Sequence, residues 1–238
     1  MTRQRTRTNT LGGILAATGL GLAALAAGPA AAAQAAPTAS APLVAAPSET
    51  PSHAVQQVVG WVLATGDNRG LPFVVVDKQS TAVFVFDGRG KRLGDTQALL
   101  GSARGDDSAP GIGDRKLQDI RPEERTTPAG RFVASLGHSL GKDDVLWVDY
   151  RLALALHRVL AVNSREHRLQ RLSSVSPLDH RITFGCINVP ARFYDQVVQP
   201  AFTGTNGIVY ILPEIKSVSA VFFSASAQAA NAPASHLS

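Results

Sequence analysis

Cysteine is nearly absent from this 238-residue chain: there is one, Cys186. A single cysteine excludes an intrachain disulfide. With only six scattered histidines it also leaves no metal-ligand spacing, so neither a metal nor another cofactor is expected. Charge is sparse, at 17% of residues, and no cluster of lysine and arginine interleaves with aromatics. No nucleic-acid surface is therefore expected. Beyond the first apolar stretch, no run exceeds strand length, and no internal repeat is visible.

What is present begins with that first stretch. Arg3, Arg5 and Arg7 precede an apolar segment of leucine, alanine, glycine and isoleucine, followed by Ala33-Gln34-Ala35. A basic start, an apolar centre and a small-residue site are the three parts of a secretory signal peptide, expected over residues 1–35 with cleavage near Ala35. The arginines are not adjacent, which excludes a twin-arginine signal, and no cysteine stands at the site to carry a lipid. The alternative is retention as an anchor, for which the segment is short and rich in small residues. Removing three arginines and no acid lowers the net charge from +5 to +2, so the basic balance belongs partly to the leader. After cleavage no stable membrane span is expected, and the mature chain is placed in the periplasm or cell envelope.

Residues 36–52, rich in alanine, proline and serine, form a flexible linker. Val58, Val59, Val62 and Leu63 recur at helical spacing, predicting one amphipathic helix over 53–68, stopped by Gly66-Asp67-Asn68. The period then changes. Phe73-Val74-Val75-Val76 and Ala82-Val83-Phe84-Val85-Phe86 flank turn residues and predict a hairpin. Further strands are expected over 96–100, 130–136, 145–150, 153–159 and 208–212. Residues 102–128 read as a long surface loop, of a kind that is often functional, and 163–180 as a polar insertion. Pro190 opens a short helix through Val198. The tail, 217–238, is of low complexity. Short strands, frequent turns and few helices predict a mostly β domain over 69–216, preceded by one N-terminal helix.

The chemistry concentrates in Arg181-Ile182-Thr183-Phe184-Gly185-Cys186-Ile187-Asn188-Val189-Pro190. A lone cysteine is by default a small buried hydrophobe. A nucleophilic one needs a base, room for a carbonyl and donors for an oxyanion. Gly185 permits close backbone approach to a substrate. The base is sought among the histidines. His157 lies in the strand-like run Leu154-Ala155-Leu156-His157-Arg158-Val159, and a strand holds a base more rigidly than a loop. His167 and His180 lie in the polar insertion, His138 in an expected turn, and His53 and His236 outside the core.

These residues resemble the YkuD-type L,D-transpeptidase family. Its signature is a histidine, a spacer and then Ser/Thr-His-Gly-Cys-apolar-Asn/Arg, which Thr183-Phe184-Gly185-Cys186-Ile187-Asn188 matches at five of six positions. The hairpin at 73–87 and Thr126-Thr127-Pro128-Ala129-Gly130-Arg131-Phe132 resemble the family's opening hairpin and its Thr-Pro-x-Gly-x-Phe segment. The likeness covers residues 70–213. Two features depart from it. Phe184 stands where the family has histidine. The spacing to Thr183 is 15 residues from His167, as is usual in the family, but 25 from His157. His157 is nevertheless the expected base, because a polar loop lengthens easily, with His167 its competitor.

The resemblance implies an L,D-transpeptidase-like β-sandwich or barrel with a few short helices. It implies a cysteine transpeptidase acting on peptidoglycan stem peptides through a thioacyl-enzyme, for cross-linking, protein attachment or D-amino-acid exchange. The expected catalytic residues are Cys186 and His157. Gly185, Thr183, Arg181 and Asn188 are expected to bind substrate or support the oxyanion. Stem peptides, and a wall-attached protein as acceptor, are the expected partners. A sortase-like enzyme is an alternative, weakened because Arg192 is the sole arginine after Cys186 and the Thr-Leu-x-Thr-Cys run is missing. A papain-like order would need a histidine after the cysteine, and only His236 in the tail follows. A non-catalytic peptidoglycan-binding protein on the same fold is the alternative from another class.

Overall fold

A computed structural model describes residues 49–139 and 144–224. The expected signal segment, most of the linker and the end of the tail lie outside the described residues.

Helix α1 spans His53–Thr65. The Ser52 hydroxyl accepts from the Val55 N–H at its start, satisfying one of the orphan donors of a first turn. Gly66, left-handed at φ 67° and the first residue of the expected stop, ends it by turning its N–H back onto Val62. Val55, Val58 and Val62 are fully buried, each contributing about 1.5–3 kcal/mol of apolar burial.

Strands β1 (Phe73–Asp77) and β2 (Ala82–Phe86) pair antiparallel as the hairpin expected. Every residue in both is buried, because the sheet is covered on both faces here. Val74, Val76, Val83 and Val85 point into the main core. Phe73, Val75 and Phe84 point the other way, against α1 and Phe222. This is the two-residue alternation of a pleated strand with apolar partners on each side.

Strand β3 (Arg92–Gln97) pairs with β2 through a register shift at Val85/Phe86. It starts earlier than the expected 96–100. Its first residues, Arg92 and Leu93, are exposed at the sheet edge. The two-residue β4 (Leu100–Gly101) follows. Residues 102–128 form the expected long loop, tightened by three single 3-10 turns.

Then come β5 (Gly130–His138), β6 (Asp144–Asp149) and β7 (Leu154–Arg158). The polar insertion contains a short helix, α2 (Arg168–Leu172), which composition did not reveal. Strands β8 (Arg181–Thr183) and β9 (Ile187–Val189) bracket the cysteine. The helix after Pro190 begins as α3 (Ala191–Phe193). It passes through a π-type turn at Tyr194–Val198 and ends as α4 (Gln199–Phe202), four residues beyond the expected limit. Strand β10 (Gly207–Ile211) is central. Part of the segment assigned to the low-complexity tail is ordered: Ser219–Phe223 forms a π-type turn that buries Phe222 against Tyr210 and Trp61.

The fold is mostly β. Eight strands run in the order β3-β2-β1-β10-β5-β6-β7-β9. Beyond β9 the sheet meets its own other end. Leu99, just after β3, exchanges both backbone hydrogen bonds with Asn188 of β9, at 2.8 and 2.9 Å. The sheet therefore curls nearly closed around its core, and Tyr194, Val198 and Phe202 pack against that core. Strands β7 and β9 run parallel, with Leu156 opposite Ile187 and His157 opposite Asn188. That pairing positions the candidate site.

Candidate active site

The turn between β8 and β9 is held from within. The Thr183 hydroxyl donates to the Cys186 carbonyl at 2.7 Å and accepts from the Gly185 N–H at 3.1 Å. Gly185 sits at φ 135° with its α-carbon against the backbone of the long loop, so that a Cβ would lie 2.8 Å from the Thr126 carbonyl oxygen. Its own carbonyl accepts from the Thr127 hydroxyl at 2.7 Å. Thr183 and Gly185, expected to face a substrate, instead shape this turn. The Gly185 N–H is spent on Thr183 and cannot serve as an oxyanion donor while that bond stands.

Cys186 opens onto a cavity of about 280 Å³. His157 lines the same cavity, with Ala153, Ala155, Trp147 and Asp144. The thiol, partly exposed, donates to the Ala153 carbonyl at 3.5 Å. Burial pushes its pKa up. The N–H of Ala155 and the positive charge of Arg168 act against that rise. The resting sulfur is consequently a thiol at neutral pH, and it needs a base at the moment of attack.

His157 is oriented by its own strand. Nδ1 lies 2.8 Å from the Arg158 carbonyl. A carbonyl only accepts, so Nδ1 carries the proton and Nε2 the lone pair. Nε2 lies 3.0 Å from Asn188 Nδ2. Arg158, also on the cavity wall, is held in ion pairs with Asp144 and Asp195, at 2.9 and 2.6 Å, over the Tyr194 ring.

The other expected residues are dispersed. His167 is exposed at the start of α2 and does not line the cavity. His180 is buried, not on the polar surface, with Nε2 at 3.1 Å from the Ser174 carbonyl and Nδ1 at 2.5 Å from the Thr81 hydroxyl. Burial lowers its pKa. Arg181 is away from the cysteine cavity. Its guanidinium pairs with Glu214 at 2.7 Å and donates to the Lys78 carbonyl at 2.6 Å. Both bonds compete with any substrate carboxylate. Asn188 is buried next to His157. Phe184, in place of the family's histidine, lies under the Arg125 guanidinium at 4.1 Å, so a cation–π contact pins the long loop here. Among the described residues no group of His, Cys, Asp or Glu is placed to hold a metal ion, and no helix is long and apolar enough to cross a membrane.

Two features escaped the sequence. Arg168 reaches Asn188 from the polar insertion, with Nη1 2.7 Å from Oδ1. A fully buried lysine, Lys78, sits in a separate cluster with Asp106 and Glu214. The only sequence signal for the latter was an isolated lysine at the end of an apolar strand.

No family model matches this chain, and no curated protein does. Among solved structures, an L,D-transpeptidase from Mycobacterium tuberculosis is similar at 15% identity and a TM-score of 0.38, over 59% of this chain and 57% of that one. The catalytic domain of the Enterococcus faecium L,D-transpeptidase is similar at 14% identity and a TM-score of 0.36, over 60% and 98%. The helical cell shape determining protein Pgp2 from Campylobacter jejuni gives 15% and 0.37, over 70% and 58%. This chain thus spans little more than half of the M. tuberculosis and C. jejuni proteins. Likenesses this loose assign neither a family nor an activity.

Proposed function

We propose that this chain is an exported cysteine acyltransferase of the L,D-transpeptidase type, acting on peptidoglycan stem peptides in the cell envelope. The observation that carries the reading is the shared cavity of Cys186 and His157, with the imidazole held by the Arg158 carbonyl so that Nε2 is the basic nitrogen. The ordered likeness of the Cys186 motif, the hairpin and the Thr-Pro-x-Gly-x-Phe segment supplies the substrate class.

In the proposed cycle the Asn188 Nδ2–H, which rests on His157 Nε2 at 3.0 Å, gives way, and Nε2 takes the Cys186 proton as sulfur attacks an amide carbonyl of the stem. The tetrahedral intermediate collapses, the C–N bond breaks, and the imidazolium returns its proton to the departing D-amino acid. A thioester remains. An acceptor amine, on a second stem or a wall-attached protein, then attacks the thioester and loses a proton to His157. The new amide forms, and the released sulfur is reprotonated. The raised thiol pKa suits this order, because the sulfur stays protonated until a substrate is in place.

The test is the intact mass of the mature protein after exposure to a carbapenem, which would acylate the thiol as a slow substrate analogue. One adduct is expected in the wild type and in His167→Ala, and none in Cys186→Ala. His157→Ala is expected to slow acylation by about 100-fold or more. A wild type without an adduct, although its thiol titrates in the folded state, would sink the reading in favour of a non-catalytic wall-binding protein.

A further inference from the structure

Arg168 lies outside the motif and outside the cycle proposed above, yet it reaches the candidate base through one intermediary. Its side chain is mostly buried, with Nε on Glu166 and Nη1 donating to Asn188 Oδ1 at 2.7 Å. Asn188, itself buried, presents Nδ2 to His157 Nε2 at 3.0 Å. His157 Nδ1 meets the Arg158 carbonyl at 2.8 Å.

The ends of this chain fix its direction. A guanidinium can only donate and a carbonyl can only accept. Between them an amide and an imidazole each have one donor side and one acceptor side to offer. Only one assignment satisfies all three contacts. Arg168 donates to Asn188 Oδ1, Asn188 Nδ2–H donates to Nε2, and Nδ1–H donates to the Arg158 carbonyl. Without a donor-only group at its far end, the Asn188 amide gains a second orientation. It can then turn Oδ1 towards Nε2 and favour a proton there.

We propose that Arg168 is a positioning residue that, through Asn188, holds His157 in the Nδ1–H tautomer with the lone pair on Nε2. This deepens the acyltransferase reading and rests on it for the consequence in catalysis. The Nε2 lone pair is thereby kept on the side of Asn188 at rest, and it becomes the base for the Cys186 proton once the Asn188 Nδ2–H bond opens. The same cation favours the thiolate over the thiol at Cys186. The charged and titratable groups around His157 include Cys186 and Asp144 on the cavity wall, Arg158 paired with Asp144 and Asp195, and Glu166 on Arg168 itself.

The test reads the imidazole directly, by long-range proton–nitrogen correlation of the labelled His157 ring across pH. The wild type is expected to show Nδ1 protonated and Nε2 unprotonated at neutral pH. Arg168→Met should lose that single pattern, giving a tautomer mixture and an upward shift of the His157 midpoint. Arg168→Lys keeps a donor-only group and should restore the wild-type pattern. Asn188→Asp, which offers only acceptors, should place a proton on Nε2 even if Arg168→Met fails to fold. Retention of the wild-type pattern in a folded Arg168→Met or in Asn188→Asp would overturn the proposal. The tautomer switch in these variants, together with a wild type that takes no carbapenem, would instead sink only the transpeptidase reading.

Discussion

Two polar clusters lie on either side of Thr127, and they differ in whether their hydrogen-bonding capacity is spent. Around Lys78 it is. The ammonium's three donors meet the Gly105 carbonyl at 2.5 Å, Asp106 at 2.7 Å and the Thr127 carbonyl at 2.9 Å. Asp106 also accepts the N–H groups of Glu214, Ile215 and Lys216. Glu214 takes Arg181 and the Gly105 N–H. Around Cys186 capacity is left over: the thiol donates one long bond, to Ala153, accepts from the Ala155 N–H, and faces a cavity. A buried ion cluster closed on itself ties chain segments together, here the β1–β2 turn, the long loop and the residues after β10. An unsaturated group beside a cavity is where chemistry has room. Arg181 and Arg168, both near the motif in sequence, fall on opposite sides of this division.

The comparison breaks most visibly at Lys78. Lys78→Met leaves Asp106 buried without its cation and is expected to cost about 3–5 kcal/mol in chemical denaturation. The iodoacetamide rate of Cys186 in the remaining folded protein should not change. A changed rate would show that the two clusters are one. Thr127 is where they touch, since its carbonyl serves Lys78 while its hydroxyl donates to Gly185 and accepts from the Gly101 N–H. Thr127→Val is expected to cost about 1–3 kcal/mol by stranding those two backbone groups. Unlike Lys78→Met, it should alter Cys186 alkylation by loosening the turn.

Acid separates the clusters next. Backbone N–H groups and Lys78 overcome desolvation and hold the Asp106 carboxyl at about 2, against an ordinary 3.8. Its stabilisation is therefore present above pH 3.8 and lost as pH falls through about 2. The amount is about 2 kcal/mol, visible as a steeper acid limb in the wild type than in Asp106→Asn. The smallest effect is at the aromatic pin. Arg125→Ala removes the cation over Phe184 and should cost about 0.5–1 kcal/mol, read as a small drop in denaturation midpoint.

Much of the framework was legible in the sequence because the responsible forces are local. Gly66-Asp67-Asn68 marks the end of α1, and the apolar runs at 73–76 and 82–86 are strands buried on both faces. What was missed is short or tertiary. Strands β8 and β9 are three residues each, too brief for an alternation to register. Arg92 and Asp95 lie before the expected strand 96–100 but pair along an edge. His180 and Phe222 carried no local sign of burial. The polar insertion gave no hint that Arg168 would return to the cysteine's neighbourhood.

By itself the sequence determined the residue types and their order: one thiol, a glycine before it, a histidine within an apolar run, and strands enough for a β fold. Only the tertiary structure decided which of these meet. Parallel pairing of β7 with β9 sets His157 beside Asn188 across 30 intervening residues, and the curled sheet closes at Leu99. The physical reason is that hydrogen-bond saturation and cavity access are properties of packed neighbours. The same arginine type can seal a buried carboxylate at position 181 or orient an imidazole from position 168, and no local pattern distinguishes the two.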